Sequence, residues 1–85
     1  MYQVYVIQNP DDRFYIGVSE DPEIRLHQHN DDVSKWTRSR GPWVLAWTSE
    51  KMSITQARKL ENWLKRQKGG NGFSQKTGLT RPKGS

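Results

Sequence analysis

The sequence predicts a small α/β domain: a three-stranded antiparallel sheet flanked by helices, in the order ββαβα. Three observations carry that prediction. Residues 2–8 and 14–18 are two β-branched and aromatic runs on either side of Asn9-Pro10-Asp11-Asp12-Arg13, a segment of turn chemistry. Asp21-Pro22-Glu23 has the make-up of a helix start. A third β-rich run, residues 43–48, is followed by Ser53 and Gln56 at capping-box spacing.

The first two runs form a hairpin, because Pro10 fixes φ and Asn9, Asp11 and Asp12 bond back to nearby backbone. With Gln8 opposite Phe14, Tyr5 falls opposite Gly17 and Ile7 opposite Tyr15. Side chains alternate along a strand, so Val4, Val6, Phe14, Ile16 and Val18 share the core face. Tyr5, Tyr15 and Gly17 share the other. The first helix takes Asp21 as N-cap and Pro22 as first residue, places an acid in its first turn, and runs to about Asn30. Arg25 and His29, four apart, lie on one side of it. His27 and His29, two apart, point in nearly opposite directions and cannot form a helical metal pair; His27 is a surface residue.

Residues 33–42 read as a loop holding Lys35, Trp36, Arg38 and Arg40, ahead of the third strand. The last helix starts after Ser53 and runs to about Lys68, where Gly69 and Gly70 end it. The domain is therefore expected at residues 1–68, and residues 69–85, polar and rich in Gly and Lys, as a flexible basic tail. Trp43, Trp47 and Trp63 read as core. Within the last helix Ile54, Ala57, Glu61 and Leu64 follow the spacing of an inward stripe. A carboxylate there is costly unless Arg58 or Lys65 pairs with it or a metal ion binds it.

Composition bounds the function. The chain has 85 residues, enough for one domain and not two. Cysteine is absent, which excludes disulfides and thiolate zinc sites. No apolar run approaches the roughly 20 residues that span a bilayer, and residues 1–5 lack the charged and apolar regions of a secretory signal. A soluble, cytoplasmic protein with no membrane partner is expected. Net charge is +5 and unevenly spread: residues 1–34 hold seven acids and two bases, residues 35–85 two acids and twelve bases. A basic half of this kind suits a polyanion such as nucleic acid.

Val4-Tyr5, a short turn, Tyr15-Ile16-Gly17 and then a helix bearing Arg25 and His29 together resemble the GIY-YIG nuclease superfamily. Gln3-Val4-Tyr5 stands at the Gly-Ile-Tyr positions, so the first motif is degenerate while the second is intact. Tyr15-Ile16-Gly17-Val18, Arg25-Leu26 and Gln28-His29-Asn30 look like the small, single-domain branch. Lys35-Trp36-Thr37-Arg38 looks like that branch's basic aromatic loop, with Trp36 where Tyr is usual. Ala57, Glu61 and Lys65 resemble the family's last helix. The resemblance spans about residues 2–68.

It implies an endonuclease that hydrolyses phosphodiester bonds in nucleic acid, DNA by expectation, with work in DNA repair or recombination. Mg²⁺ or Mn²⁺ is the implied cofactor, with Glu61 as metal ligand; Mg²⁺ accepts one carboxylate with waters and substrate phosphate. Arg25, always charged and able to bond bidentately, suits a non-bridging phosphate oxygen. By analogy Tyr5 helps activate water, Tyr15 positions phosphate or water, and His29 assists proton transfer or packs beside Tyr5. Gly17 would leave room for the substrate backbone. Lys35, Arg38, Arg40, Lys65 and Arg66 would meet phosphates, and Trp36 either stacks on a base or packs internally. The alternatives are a nucleic-acid-binding module that keeps the fold without catalysis, and a protein-interaction domain.

Overall fold

The computed structural model describes residues 1–31, 41–68 and 70–79. The elements run β1 (Gln3–Gln8), β2 (Phe14–Ser19), α1 (Pro22–Asn30), β3 (Val44–Thr48), α2 (Ile54–Arg66) and α3 (Asn71–Thr77). The three strands form an antiparallel sheet of order β2-β1-β3, so β1 is central. Among the described residues no helix is long and apolar enough to cross a membrane.

The turn between β1 and β2 is closed as its chemistry requires. Asn9 Oδ1 accepts from the amides of Asp11 and Arg13, and Asp12 takes a positive φ of 62°. The register is the expected one, with Tyr5 opposite Gly17, Ile7 opposite Tyr15 and Gln8 opposite Phe14. At the start of α1, Asp21 accepts from the amides of Glu23 and Ile24. At the start of α2, Ser53 Oγ accepts from the Gln56 amide.

Both faces of the sheet are covered. On one, Val4, Val6, Ala57, Leu64 and Phe73 are buried, with Phe14, Ile16, Val18, Trp47 and Leu60 packed against them. On the other, Tyr5, Ile7 and Trp43 are buried, with Tyr15, Leu26 and Leu45 around them. A register shift in the β1–β3 pairing, between Val6 and Ile7, distributes the third strand between these layers. In a regular strand Leu45 and Trp47, two apart, would share a face. The irregularity sends Trp47 to the α2 side and leaves Leu45 and Trp43 on the α1 side.

Three expectations differ from the structure. The chain beyond residue 68 does not become a loose tail at once. Residues 71–77 form α3, whose Phe73 lies in the core 5.2 Å, centroid to centroid, from Phe14. The polar composition of this stretch hid one aromatic anchor, and a single buried Phe is enough to dock a two-turn helix. Gly78, at φ 74°, then ends α3 in the left-handed conformation. Trp63 is not core: it is 41% exposed, on the outer side of α2. Ile54 is also exposed, so the inward stripe consists of Ala57, Leu60 and Leu64 with Glu61 at its margin.

Candidate active site

The site is built on the α1 side of the sheet, around Tyr5. Its position in the central strand points the ring away from Val4 and Val6, toward Tyr15 and His29. Tyr5 is 1% exposed and His29 fully buried, and the Tyr5 hydroxyl lies 2.9 Å from His29 Nε2. Tyr15 completes the cluster: its ring meets the His29 ring edge-on at 4.8 Å and lies 6.4 Å from the Tyr5 ring. Three aromatic rings from β1, β2 and α1 therefore enclose one hydrogen bond.

Gly17 explains how the Tyr5 ring fits. A Cβ at position 17 would lie 2.5 Å from Tyr5 Cζ and 2.8 Å from Cε1. The space that glycine leaves is filled by Tyr5 itself, which corrects the expectation that it admits the substrate backbone. Gly17 is buried beneath the ring, and its contribution is to let the phenol lie across β2.

Charge enters from two sides. Arg25, one turn before His29 on α1, bears electrostatically on the Tyr5 phenol, and the Glu61 carboxylate bears on it as well. Burial is the largest influence and raises the Tyr5 pKa; Arg25 pulls in the opposite direction. Tyr5 is therefore a protonated phenol at neutral pH. His29 is pushed down to about 4, chiefly by burial and then by the Arg25 charge, so its imidazole is neutral. A neutral imidazole beside a protonated phenol can exchange the shared proton in either direction, depending on tautomer.

Two further residues tie the site together. Gln28 Oε1 accepts from Arg25 Nη1 at 2.6 Å, holding the guanidinium from three residues along α1. Asn30 donates from Nδ2 to the Trp43 carbonyl at 3.0 Å and accepts from the Trp43 amide at 2.6 Å. That two-pronged bond fixes the end of α1 to the start of β3. Neither role was assigned from sequence. The Gln28 contact was discoverable from its i+3 spacing to Arg25; the Asn30 contact joins residues 13 apart in sequence and carries no local signal.

Glu61 approaches from α2. Its side chain is only 14% exposed, and its Oε2 lies 3.0 Å from Lys65 Nζ, whose own side chain is 53% exposed. This is the paired alternative that the sequence left open. Exposed i, i+4 pairs stabilise by only about 0.3–0.5 kcal/mol, so a stronger cation can displace Lys65. Among the described residues no three His, Cys, Asp or Glu side chains cluster as a metal cage. A lone carboxylate fits a hydrated hard cation that takes its other oxygens from water and phosphate, and does not fit a protein-caged ion. Arg66 is exposed on α2, like Lys65. Lys35, Trp36, Arg38 and Arg40 lie outside the described residues.

Comparison with known proteins meets this geometry from a second direction. The model of the GIY-YIG catalytic domain matches residues 1–74. The chain belongs to the GIY-YIG family. A UPF0213 protein of Halobacterium salinarum is 36% identical over 66 residues, covering 76% of this chain and 86% of that one. UPF0213 proteins of Vibrio campbellii and Aeromonas salmonicida are each 34% identical, and the chain spans 62% and 49% of their lengths. A solution NMR structure of a UPF0213 protein from Bacillus halodurans is 31% identical, with a TM-score of 0.48, and the match covers 78% of this chain and 72% of that one. GIY-YIG domains are nuclease-type, act on nucleic acid, and are generally dependent on a divalent metal ion. The match runs past residue 68 into α3, in keeping with Phe73 as part of the fold.

Proposed function

We propose that this domain is a divalent-metal-assisted endonuclease that hydrolyses phosphodiester bonds in DNA. The observation that carries the reading is the convergence on one buried phenol: His29 hydrogen-bonds to Tyr5, and Arg25 and Glu61 both act on it electrostatically. A binding module needs cations for phosphates; it does not need a carboxylate and a tyrosine–histidine pair beside them.

The roles follow from position. Arg25, held by Gln28, bonds the non-bridging oxygens of the scissile phosphate and offsets the charge that builds on them. Water attacks phosphorus and gives its proton to the Tyr5 oxygen as the Tyr5 proton passes to His29 Nε2. The bond from phosphorus to the leaving oxygen breaks, and that oxygen is protonated from solvent. His29 accepts the proton only transiently, since burial and Arg25 disfavour its charged form. Tyr15, at the rim of the same cluster, orients the water or a phosphate oxygen. Glu61 would hold Mg²⁺ or Mn²⁺ with Lys65 displaced. Such an ion, when bound, supplies Lewis acidity and orientation at the phosphate.

The test is incubation of the protein and of Glu61→Gln with duplex, nicked, flapped and branched DNA, with and without Mg²⁺ or Mn²⁺. Metal-dependent cleavage that Glu61→Gln abolishes supports the reading. Absence of cleavage on every substrate and metal, with binding retained, would leave a nucleic-acid-binding module.

A further inference from the structure

Trp63 is an α2 residue whose placement the catalytic reading does not use. It is 41% exposed, yet it is not loose. A Cβ at Gly72 would lie 3.1 Å from Trp63 Cη2, so the indole edge rests against the backbone at the start of α3. Gln67 Nε2 donates to the Trp63 carbonyl at 3.1 Å and its side chain borders the same glycine. The ring edge thus rests against α3, with much of its surface left to solvent. A single exposed side chain is ordinary on a protein surface; what sets this one apart is the charge around it.

Lys59 and Arg66 stand four residues before and three after Trp63, so they flank it on the helix surface, and both are exposed. Arg58 and Lys65, also exposed, continue the positive charge round α2 to the flank that carries Glu61. Glu61 is the only acid in the helix. A cationic track therefore leads from the catalytic carboxylate across the outer surface of α2 to a fixed, open indole. Cations tracking a backbone beside an aromatic platform are what unpaired nucleic acid requires. A blunt duplex keeps its interior bases stacked and offers the indole only the outer face of each terminal pair.

We infer that Trp63 is a stacking platform for an unpaired base, so that α2 binds a single-stranded segment of nucleic acid beside the cut site. This rests on the nuclease reading for its orientation, but binding can be measured without cleavage. The experiment uses the full chain carrying Glu61→Gln, and compares its affinity for a single-stranded oligonucleotide and for a blunt duplex of the same sequence. Trp63→Leu should weaken single-strand binding about thirtyfold, the middle of the range for loss of one stacked base, and leave duplex binding within about twofold. Trp63→Phe should keep most of the single-strand affinity, because a ring face is what is used. Lys59→Gln with Arg66→Gln, which leaves the core untouched, should lower the salt slope of single-strand binding by about 1.4. Equal losses on single strand and duplex, or single-strand affinity indifferent to Trp63→Leu, would overturn the inference. These outcomes are independent of whether the parent protein cleaves DNA.

Discussion

The two faces of this sheet are made from alternate residues of the same strand, and they are built on different terms. Toward α2 and α3, Val4 and Val6 meet Ala57, Leu64 and Phe73, a layer whose buried side chains are all apolar. Toward α1, Tyr5 and Ile7 meet Trp43, Tyr15 and a fully buried histidine. The first face holds the domain together by area. The second gives up part of that stabilisation to bury polar groups, which must then be paired. It follows that substitutions on the first face should act on stability and those on the second on activity. Gly17 should act on both, because it is the backbone on which the active ring rests.

The largest expected effect breaks the apolar face. Phe73→Ala removes a buried ring and should cost about 3–5 kcal/mol, enough to unfold much of a small domain, as thermal or urea unfolding would record. Unchanged stability would mean that α3 is not part of the fold in solution. Next come the charged groups proposed to act at the phosphate. Glu61→Gln should lose at least about a hundredfold in cleavage rate, the low end for one catalytic group. Its stability should change by no more than about 0.5 kcal/mol, because the pair with Lys65 is exposed on the lysine side. Arg25→Ala should lose cleavage and also weaken phosphate binding, which separates its role from that of Glu61.

Gly17→Ala tests the boundary between the faces. A methyl group there meets the Tyr5 ring, so about 1–3 kcal/mol of overpacking is expected. Displacement of the phenol from His29 should lower cleavage further than the lost stability explains.

How much of this was legible in the sequence follows the same division. The hairpin, its register and both long helices could be read, because each leaves a local or periodic mark; Tyr5, Tyr15, Arg25, His29 and Glu61 were grouped only through the family resemblance. The division of the third strand between the two layers could not be read. It depends on the register shift between Val6 and Ile7, and no residue type announces that irregularity. Phe73 and Trp63 were misplaced for opposite reasons. One apolar residue in a polar segment looks dispensable until a groove is known to receive it, and a helical Trp looks buried until its side of the helix is known. The use of Gly17 was misjudged because register shows what lies opposite a residue and not whose ring fills the gap.

The smallest effect is confined to acid. His29 has a folded-state value of about 4 against an ordinary 6.5. Above pH 6.5 it is neutral folded or unfolded and contributes no pH dependence. Below that the unfolded chain binds a proton that the folded one refuses, so stability should fall from pH 6.5 to 4 and then level. His29→Asn should flatten that limb of a plot of thermal midpoint against pH. If the limb is identical in both proteins, the imidazole is not held neutral by the fold.

The alternation along β1 has one more consequence, for how the chain finds its structure. Val4, Tyr5, Val6 and Ile7 are all buried, each on the side opposite its neighbours. A hairpin displaced by a single residue would thrust the Tyr5 hydroxyl among valines and leucines and leave His29 facing an isopropyl group. Every such error strands a polar group in an apolar layer, so misaligned hairpins are penalised at four successive positions at once. The residues placed for chemistry thereby also proofread the pairing of the strands.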